Sequence, residues 1–266
     1  MKESVSFWRG WATGYADRMS RSQVFTDGEI TSFRAGGKIL SACLAMLREK
    51  SVPGITTAEL DRLCETYIRD HGGIPAFKGY EGFPGSLCTS VNDECVHGIP
   101  GNRVLKDGDI VNLDSGVIFD GLYTDAGLMA RVGTVSKDAH RVVDATEEAL
   151  RRAIELIKAG VRVGDISATI QATAAECGCH PVKNLVGHGL GRTLHCYPDI
   201  PNEGRAGTGP TLPAGTVVAI EPIFTLGSGE MVFSPDGWTI RSREGMLCAQ
   251  TEHSIHVTEN GHEIIA

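Results

Sequence analysis

No apolar run in these 266 residues approaches the roughly 20 needed to cross a bilayer. The first residues, Met1 to Ser20, carry Trp8 and Trp11 but no continuous apolar core before a small-residue cleavage site, so no secretory signal is read there. An excess of positive charge is also missing. Lys and Arg number 25 against 33 Asp and Glu, a net charge of -8. That balance excludes a general binder of nucleic acid or of anionic membrane. The eight cysteines lack any C-x-x-C spacing, and Cys177-Gly-Cys179 is the only tight pair. A structural zinc site or a disulfide framework is therefore not the expectation. Free thiols, buried as small apolar groups in a reducing cytosol, are. No long Gly/Ser/Pro linker divides the chain after residue 26. These absences point to a cytoplasmic protein built as one unit.

What is present is ordinary in amount and informative in order. Hydrophobic residues make up 41% and charged residues 22%, enough for a proper core. Residues 1–26 read as an extension without sustained periodicity, and residues 27–266 as the folded domain. Residues 32–50 read as a helix capped by Thr31 and stopped at Val52-Pro53-Gly54. Residues 57–71 read as a second helix closed by Gly72-Gly73, with Leu60, Leu63, Cys64, Tyr67 and Ile68 on one face. Alternating apolar and polar residues over 86–133 predict antiparallel strands. Helical spacing returns over 137–159 and 165–177, with Asp165 as a cap, and strand and loop follow through 257. Helices followed by strands thus occur twice. The fold class is α+β, with helices on one face of an antiparallel sheet and two similar halves.

One hairpin carries chemistry. Asp120-Gly121 lies between apolar runs, and a two-residue turn there needs positive φ at both positions. The register that follows pairs Phe119 with Leu122, Ile118 with Tyr123, Val117 with Thr124 and Gly116 with Asp125. Asp114 then shares a sheet face with Gly116, which makes Asp114 and Asp125 diagonal neighbours about 7–8 Å apart at Cα. Two carboxylates so placed converge on a cation or force one of them to hold a proton. Gly116 opposite Asp125 is expected to leave open space beside them. Further on, His188 sits in the glycine-rich Gly187-His188-Gly189-Leu190-Gly191, Glu221 ends the apolar run Val217–Ile220, and Glu252 lies inside a strand-like segment. None of these three would be singled out alone. With the hairpin they make two Asp, two Glu and one His.

SVNDECVHGIP (90–100), DGDIVNLDSGVIFDGLYTDAG (107–127), GHGLGRTLH (187–195), AIEP (219–222), DGWT (236–239) and TEHSI (251–255) resemble, in order and separation, the type I methionine aminopeptidases of the pita-bread fold. The resemblance runs from about residue 27 to the end. It implies two pseudo-symmetric halves and five metal ligands: Asp114, Asp125, His188, Glu221 and Glu252. Asp125 and Glu252 would bridge two divalent ions, Asp114 would chelate one, and His188 with Glu221 would bind the other. Four carboxylates balance two such ions, and the oxygen-rich set suits Mn, Fe(II) or Co, with Zn as a further choice. The resemblance also implies that a hydroxide held between the metals attacks the scissile carbonyl. Glu221 would shuttle a proton, and His97 and His195 would contact the substrate and stabilise the tetrahedral intermediate. Phe77, Tyr80, Phe83, Cys88, Leu194 and Trp238 would line the methionine pocket.

The implied reaction is removal of the initiator methionine from nascent polypeptides when the next residue is small, by a monomer working in the cytoplasm, in reach of the ribosome, with no membrane or nucleic-acid partner. Several positions depart from the family pattern. Cys196-Tyr197 replaces two acids ahead of Pro198, Gly116 replaces a frequent Thr, Thr124 a frequent Gly, Leu194 a frequent Phe, and Phe77 a frequent small thiol. None of them is a metal ligand, so they bear on substrate preference and rate. The competing readings are an Xaa-Pro aminopeptidase or prolidase of the same fold, which usually carries a separate N-terminal domain, and a non-catalytic binding protein, which would have lost ligands.

Overall fold

The structure is a computed structural model and describes residues 21–266; the expected extension lies outside the described residues up to Ser20. Its last residues are held. Phe25 donates its N–H to the Gly215 carbonyl at 2.9 Å and meets Phe33 edge-on at 4.9 Å.

Helix α1 spans Asp27–Lys50. It begins earlier than Thr31 because Thr26 and Glu29 form a capping box: the Thr26 hydroxyl accepts from Glu29 N–H, and the Glu29 carboxylate accepts from Thr26 N–H. Helix α2, Thr57–Asp70, is capped by Thr56 and closes near the expected Gly72, whose φ is 83°. Helix α3, Lys137–Glu155, stops short of 159 because Ala159 and Gly160 give their N–H groups to Thr258 and Leu212 in other segments. Helix α4, Val163–Glu176, is not capped by Asp165. Its N-cap is Arg162, without a side-chain bond, while the Asp165 carboxylate accepts from Gly207 N–H at 2.7 Å.

The strands are β1 Ile74–Pro75, β2 Cys88–Val91, β3 Glu94–Val96, β4 Ile110–Phe119 and β5 Leu122–Arg131 in the first half. The second half holds β6 His180–Pro181, β7 Val186–Leu190, β8 Cys196–Pro201, β9 Val217–Ile220, β10 Ile223–Thr225, β11 Met231–Phe233, β12 Ile240–Ser242, β13 Cys248–Gln250, β14 His253–Val257 and β15 His262–Ile264. All their pairings are antiparallel. They form one five-stranded sheet, β15-β14-β9-β7-β8, one four-stranded sheet in which β4 binds β1, β2 and β5, and two three-stranded sheets. Each half repeats one plan: a helix pair, a two-residue strand, then longer strands. β1 pairs with β4 at Ile74 and Ile118, and β6 pairs with β10 at His180 and Thr225.

Alternation decides which face is core and which is site. On β4, Val111, Leu113 and Val117 pack with Leu40, Leu44, Leu60 and Ile68 of α1 and α2. Asn112, Asp114 and Gly116 point the other way. In the second half Val218, Ile220, Phe224 and Ile255 pack with Val142, Val143, Ile166 and Ile170 of α3 and α4. The eight cysteines are free, and seven are buried.

Candidate metal centre

The β4–β5 hairpin turns at Asp120 and Gly121, with φ of 50° and 75°, and its register is the one expected from the sequence. Gly116 faces Asp125 and Asp114 faces Gly127, so the two aspartates are diagonal neighbours on one face. The space expected beside Gly116 is filled. A Cβ there would lie 2.9 Å from Ala76 Cβ and 3.1 Å from Phe77 Cε1. Phe77 takes the room that a side chain at 116 would need.

Gly127 brings the second half to this hairpin. Its carbonyl accepts from Glu252 N–H at 2.8 Å, and its N–H donates to the Glu252 carbonyl at 3.3 Å. A Cβ at 127 would lie 3.4 Å from Asp114 Cβ and 3.6 Å from Glu252 Cβ, ordinary contact distances, so both acids border this position. Ser254, on β14 just after Glu252, fastens Asp125: its hydroxyl accepts from Asp125 N–H at 2.9 Å and donates to the Asp125 carbonyl at 2.6 Å. β7 contributes His188 and the end of β9 contributes Glu221. His188 Nδ1 lies 2.9 Å from its neighbour's carbonyl, at Gly189. A carbonyl only accepts, so Nδ1 carries the proton and Nε2 presents its lone pair. That Nε2 lies 3.6 Å from Glu221 Oε1 and 4.0 Å from Asp125 Oδ2.

All thirteen side chains singled out from the sequence line one cavity. Asp125, His188 and Glu252 can bring one ligand atom each within 4.8 Å of one another, the only such group among the described residues. Asp114 and Glu221 adjoin it. The donor set fits divalent cations on two further observations. Asp114 Oδ1, Asp125 Oδ1 and Glu252 Oε1 are buried without a hydrogen-bond partner in the protein, a costly state unless an ion takes them. Burial also raises all four carboxyls: Asp114 to about 7, and Asp125, Glu221 and Glu252 well above the usual range, each with help from its acidic neighbours except Asp114, where burial acts alone. Cations are what would leave the four ionised together at neutral pH.

His97 and His195 flank the acids. His97 sits at φ 58°, and burial pushes its imidazole down to about 4, so it is neutral at neutral pH. His195 stands edge-on to His188 with ring centres 4.4 Å apart, and its Nδ1 is 3.0 Å from the Tyr80 hydroxyl. Phe77, Phe83, Cys88 and Leu194 form one buried apolar cluster with Tyr80 and Trp238, and Phe83 meets Trp238 edge-on at 5.1 Å. Cys196 is buried, and its thiol lies 3.1 Å from the Thr193 hydroxyl.

Sequence reasoning missed Gln250. Its Nε2 donates to Glu221 Oε2 and to Glu252 Oε2, both at 3.2 Å. The signal was its position two residues before Glu252, which puts both on one side of an extended segment. Asn184, with φ of 67°, and Glu81, with φ of 47°, also line the cavity and gave no signal in the sequence.

The profile of metallopeptidase family M24 matches residues 31–259. A methionine aminopeptidase of Clostridium perfringens is 45% identical over 239 residues, spanning 90% of this chain and 96% of that protein. The crystal structure of methionine aminopeptidase from Thermotoga maritima matches with a TM-score of 0.91 at 41% identity, over 92% of this chain and 99% of that one. Prolidase from Pyrococcus furiosus shares the fold, with a TM-score of 0.74 at 20% identity, over 91% of this chain and 64% of that one. Among the described residues no helix is long and apolar enough to cross a membrane. With a family profile over most of its length, relatives that match nearly end to end and a pita-bread α+β architecture, the chain belongs to metallopeptidase family M24.

Proposed function

We infer that this protein is a metal-dependent methionine aminopeptidase, a hydrolase that removes N-terminal methionine from peptide and protein chains. The observation that carries the reading is a single cavity in which the buried Asp114, Asp125, His188 and Glu252, with the partly buried Glu221, adjoin an apolar pocket. The acids provide for metal-assisted hydrolysis, and the pocket selects an unbranched apolar side chain. The substrates are the N-termini of newly made polypeptides whose second residue is small, and the working compartment is the cytoplasm. The catalytic unit spans residues 27–266, with residues 1–26 as an extension tied to it through Phe25 and Thr26.

Asp125 and Glu252 would bridge two divalent cations, Asp114 would chelate one, and His188 with Glu221 would hold the other. Four carboxylates match the charge of two such ions, and Mn, Fe(II), Co and Zn all suit this donor set. Cations held there supply Lewis acidity to the scissile carbonyl and to water. Gln250 donates to Glu221 Oε2 and orients this carboxylate, which would take a proton from the attacking water and return it to the departing amine. Neutral His97 donates an N–H to the substrate. His195, with Nδ1 engaged by Tyr80, turns its other nitrogen to the developing oxyanion. Phe77, Tyr80, Phe83, Cys88, Leu194 and Trp238 enclose the methionine side chain, and the aromatic edges favour its sulfur.

The test is hydrolysis by the purified protein supplied with Mn or Co. Methionine is released from Met-Ala-Ser and not from Met-Lys-Ser. Release of the first residue from Xaa-Pro peptides instead would identify a prolidase-like enzyme of the same fold.

A further inference from the structure

Away from the acid cluster, the sulfurs of Cys95 on β3 and Cys248 on β13 lie 2.8 Å apart, although 153 residues separate them in the chain. A disulfide bond is about 2.05 Å long, so closure needs less than an ångström of movement. The other thiol pair in the core, Cys43 and Cys64, rests at 3.8 Å. The strands around Cys95 and Cys248 are fixed by backbone bonds: Cys248 N–H donates to the Asn92 carbonyl at 2.8 Å, and Ile240 pairs with Val96. Both cysteines are buried in an apolar cluster with Val96, Val182, Ile223 and Ile240. Among the described residues they gather no third metal-ligating side chain, which argues against a thiolate metal site.

We propose that Cys95 and Cys248 are a redox-modification site, a dithiol that hydrogen peroxide closes into a disulfide between β3 and β13. One sulfur attacks a peroxide oxygen and the O–O bond breaks. The hydroxide that leaves takes the thiol proton as water, and a sulfenic acid remains. The second sulfur attacks that sulfenic sulfur, the S–S bond forms, and the S–O bond breaks. The second hydroxide leaves with the second thiol proton as water. Two electrons pass from the dithiol to the peroxide. The contact with Cys248, followed by burial, holds the Cys95 thiol above its ordinary range, so the reaction is slow and needs a small oxidant. The bond would tie the strand leading into His97 to the strand ending at Gln250, two walls of the cavity.

The experiment exposes the intact purified protein to a modest excess of hydrogen peroxide. Remaining thiols are alkylated under denaturing conditions, and the protein is digested with trypsin without reduction. The expected product joins Gly79–Arg103 to Glu244–Ala266, two hydrogens lighter than the separate peptides, with fragmentation placing the link on Cys95 rather than Cys88. Closing so long a loop should raise Tm by roughly 10 °C, reversibly with a reductant. Cys95→Ala and Cys248→Ala should each abolish both the linked peptide and the rise. Recovery of both cysteines alkylated in the treated wild type, or a Tm rise that persists in the variants, overturns the proposal.

Discussion

Glu221 and Gln250 show how much depends on single atoms here. Glu221 is the carboxylate proposed for two jobs, metal ligand and proton carrier, and Gln250 holds it by donating to Oε2 while Oε1 faces His188 Nε2 at 3.6 Å. Glu221→Gln keeps shape and volume but loses the charge and the proton site. Turnover of Met-Ala-Ser should fall by at least about 10²–10⁴-fold, with the fold intact by circular dichroism; normal turnover would reject the assignment. Gln250→Ala removes a donor shared by Glu221 and Glu252, leaving their orientation to chance. Metal affinity by calorimetric titration should weaken about 10–100-fold, and an unchanged affinity would mean Gln250 positions nothing. The five candidate ligands were legible only as a set: the two Asp stand out inside strands, while His188, Glu221 and Glu252 are marked by the motifs around them and not by themselves. Gln250 carried only the weaker signal of its spacing of two from Glu252, because an amide has no local anomaly of its own to mark it.

Between β1 and β4 the packing couples two departures from the family pattern. Phe77 follows β1 and presses on the face of β4 where Gly116 lacks a side chain. Gly116→Thr would set a Cβ 2.9 Å from Ala76 and 3.0 Å from the Thr124 carbonyl as well as against Phe77. The overpacking should cost about 1–3 kcal/mol, read as a fall in Tm. Adding Phe77→Cys should recover part of that loss and raise KM for methionyl peptides, because the ring also walls the pocket. Independent, additive effects of the two changes would show that the sites are not coupled. Element boundaries had a similar limit. The β4–β5 register was legible from Asp120-Gly121 because two-residue turns demand positive φ. The start of α1 was missed although Thr26 and Glu29 spell a capping box, and α3 ends early through bonds to Thr258 and Leu212, which are remote in sequence.

At the scale of the whole molecule, two halves each keep a helix-packed core and together enclose the acids. Removing the cations by chelation should therefore change how stability depends on pH. Without cations, burial raises Asp114 to about 7 and Asp125, Glu221 and Glu252 above the ordinary carboxylate range. The folded protein then binds more protons than the unfolded chain between about pH 4, where unfolded carboxyls titrate, and the raised folded values. Stability must fall as pH rises through that window. Thermal melts of the chelated protein should show Tm dropping from pH 5 to pH 8, and the Mn-loaded protein should show a much flatter profile. Parallel profiles would mean that the acids do not act as the cation site.

The sequence by itself determined the alternation that separates core from cavity on β4 and the turn that sets Asp114 diagonal to Asp125. These are local: period, turn chemistry and residue type act within a few positions of one another. Only the tertiary structure decided that Gly127 pairs with Glu252, that Ser254 pins Asp125, that Phe77 fills the void at Gly116, and that Cys95 meets Cys248. Such contacts join segments remote in sequence, and all but that of Phe77 with Gly116 cross between the halves. Backbone approach and side-chain volume govern them, and neither quantity leaves a mark on a strand read in isolation.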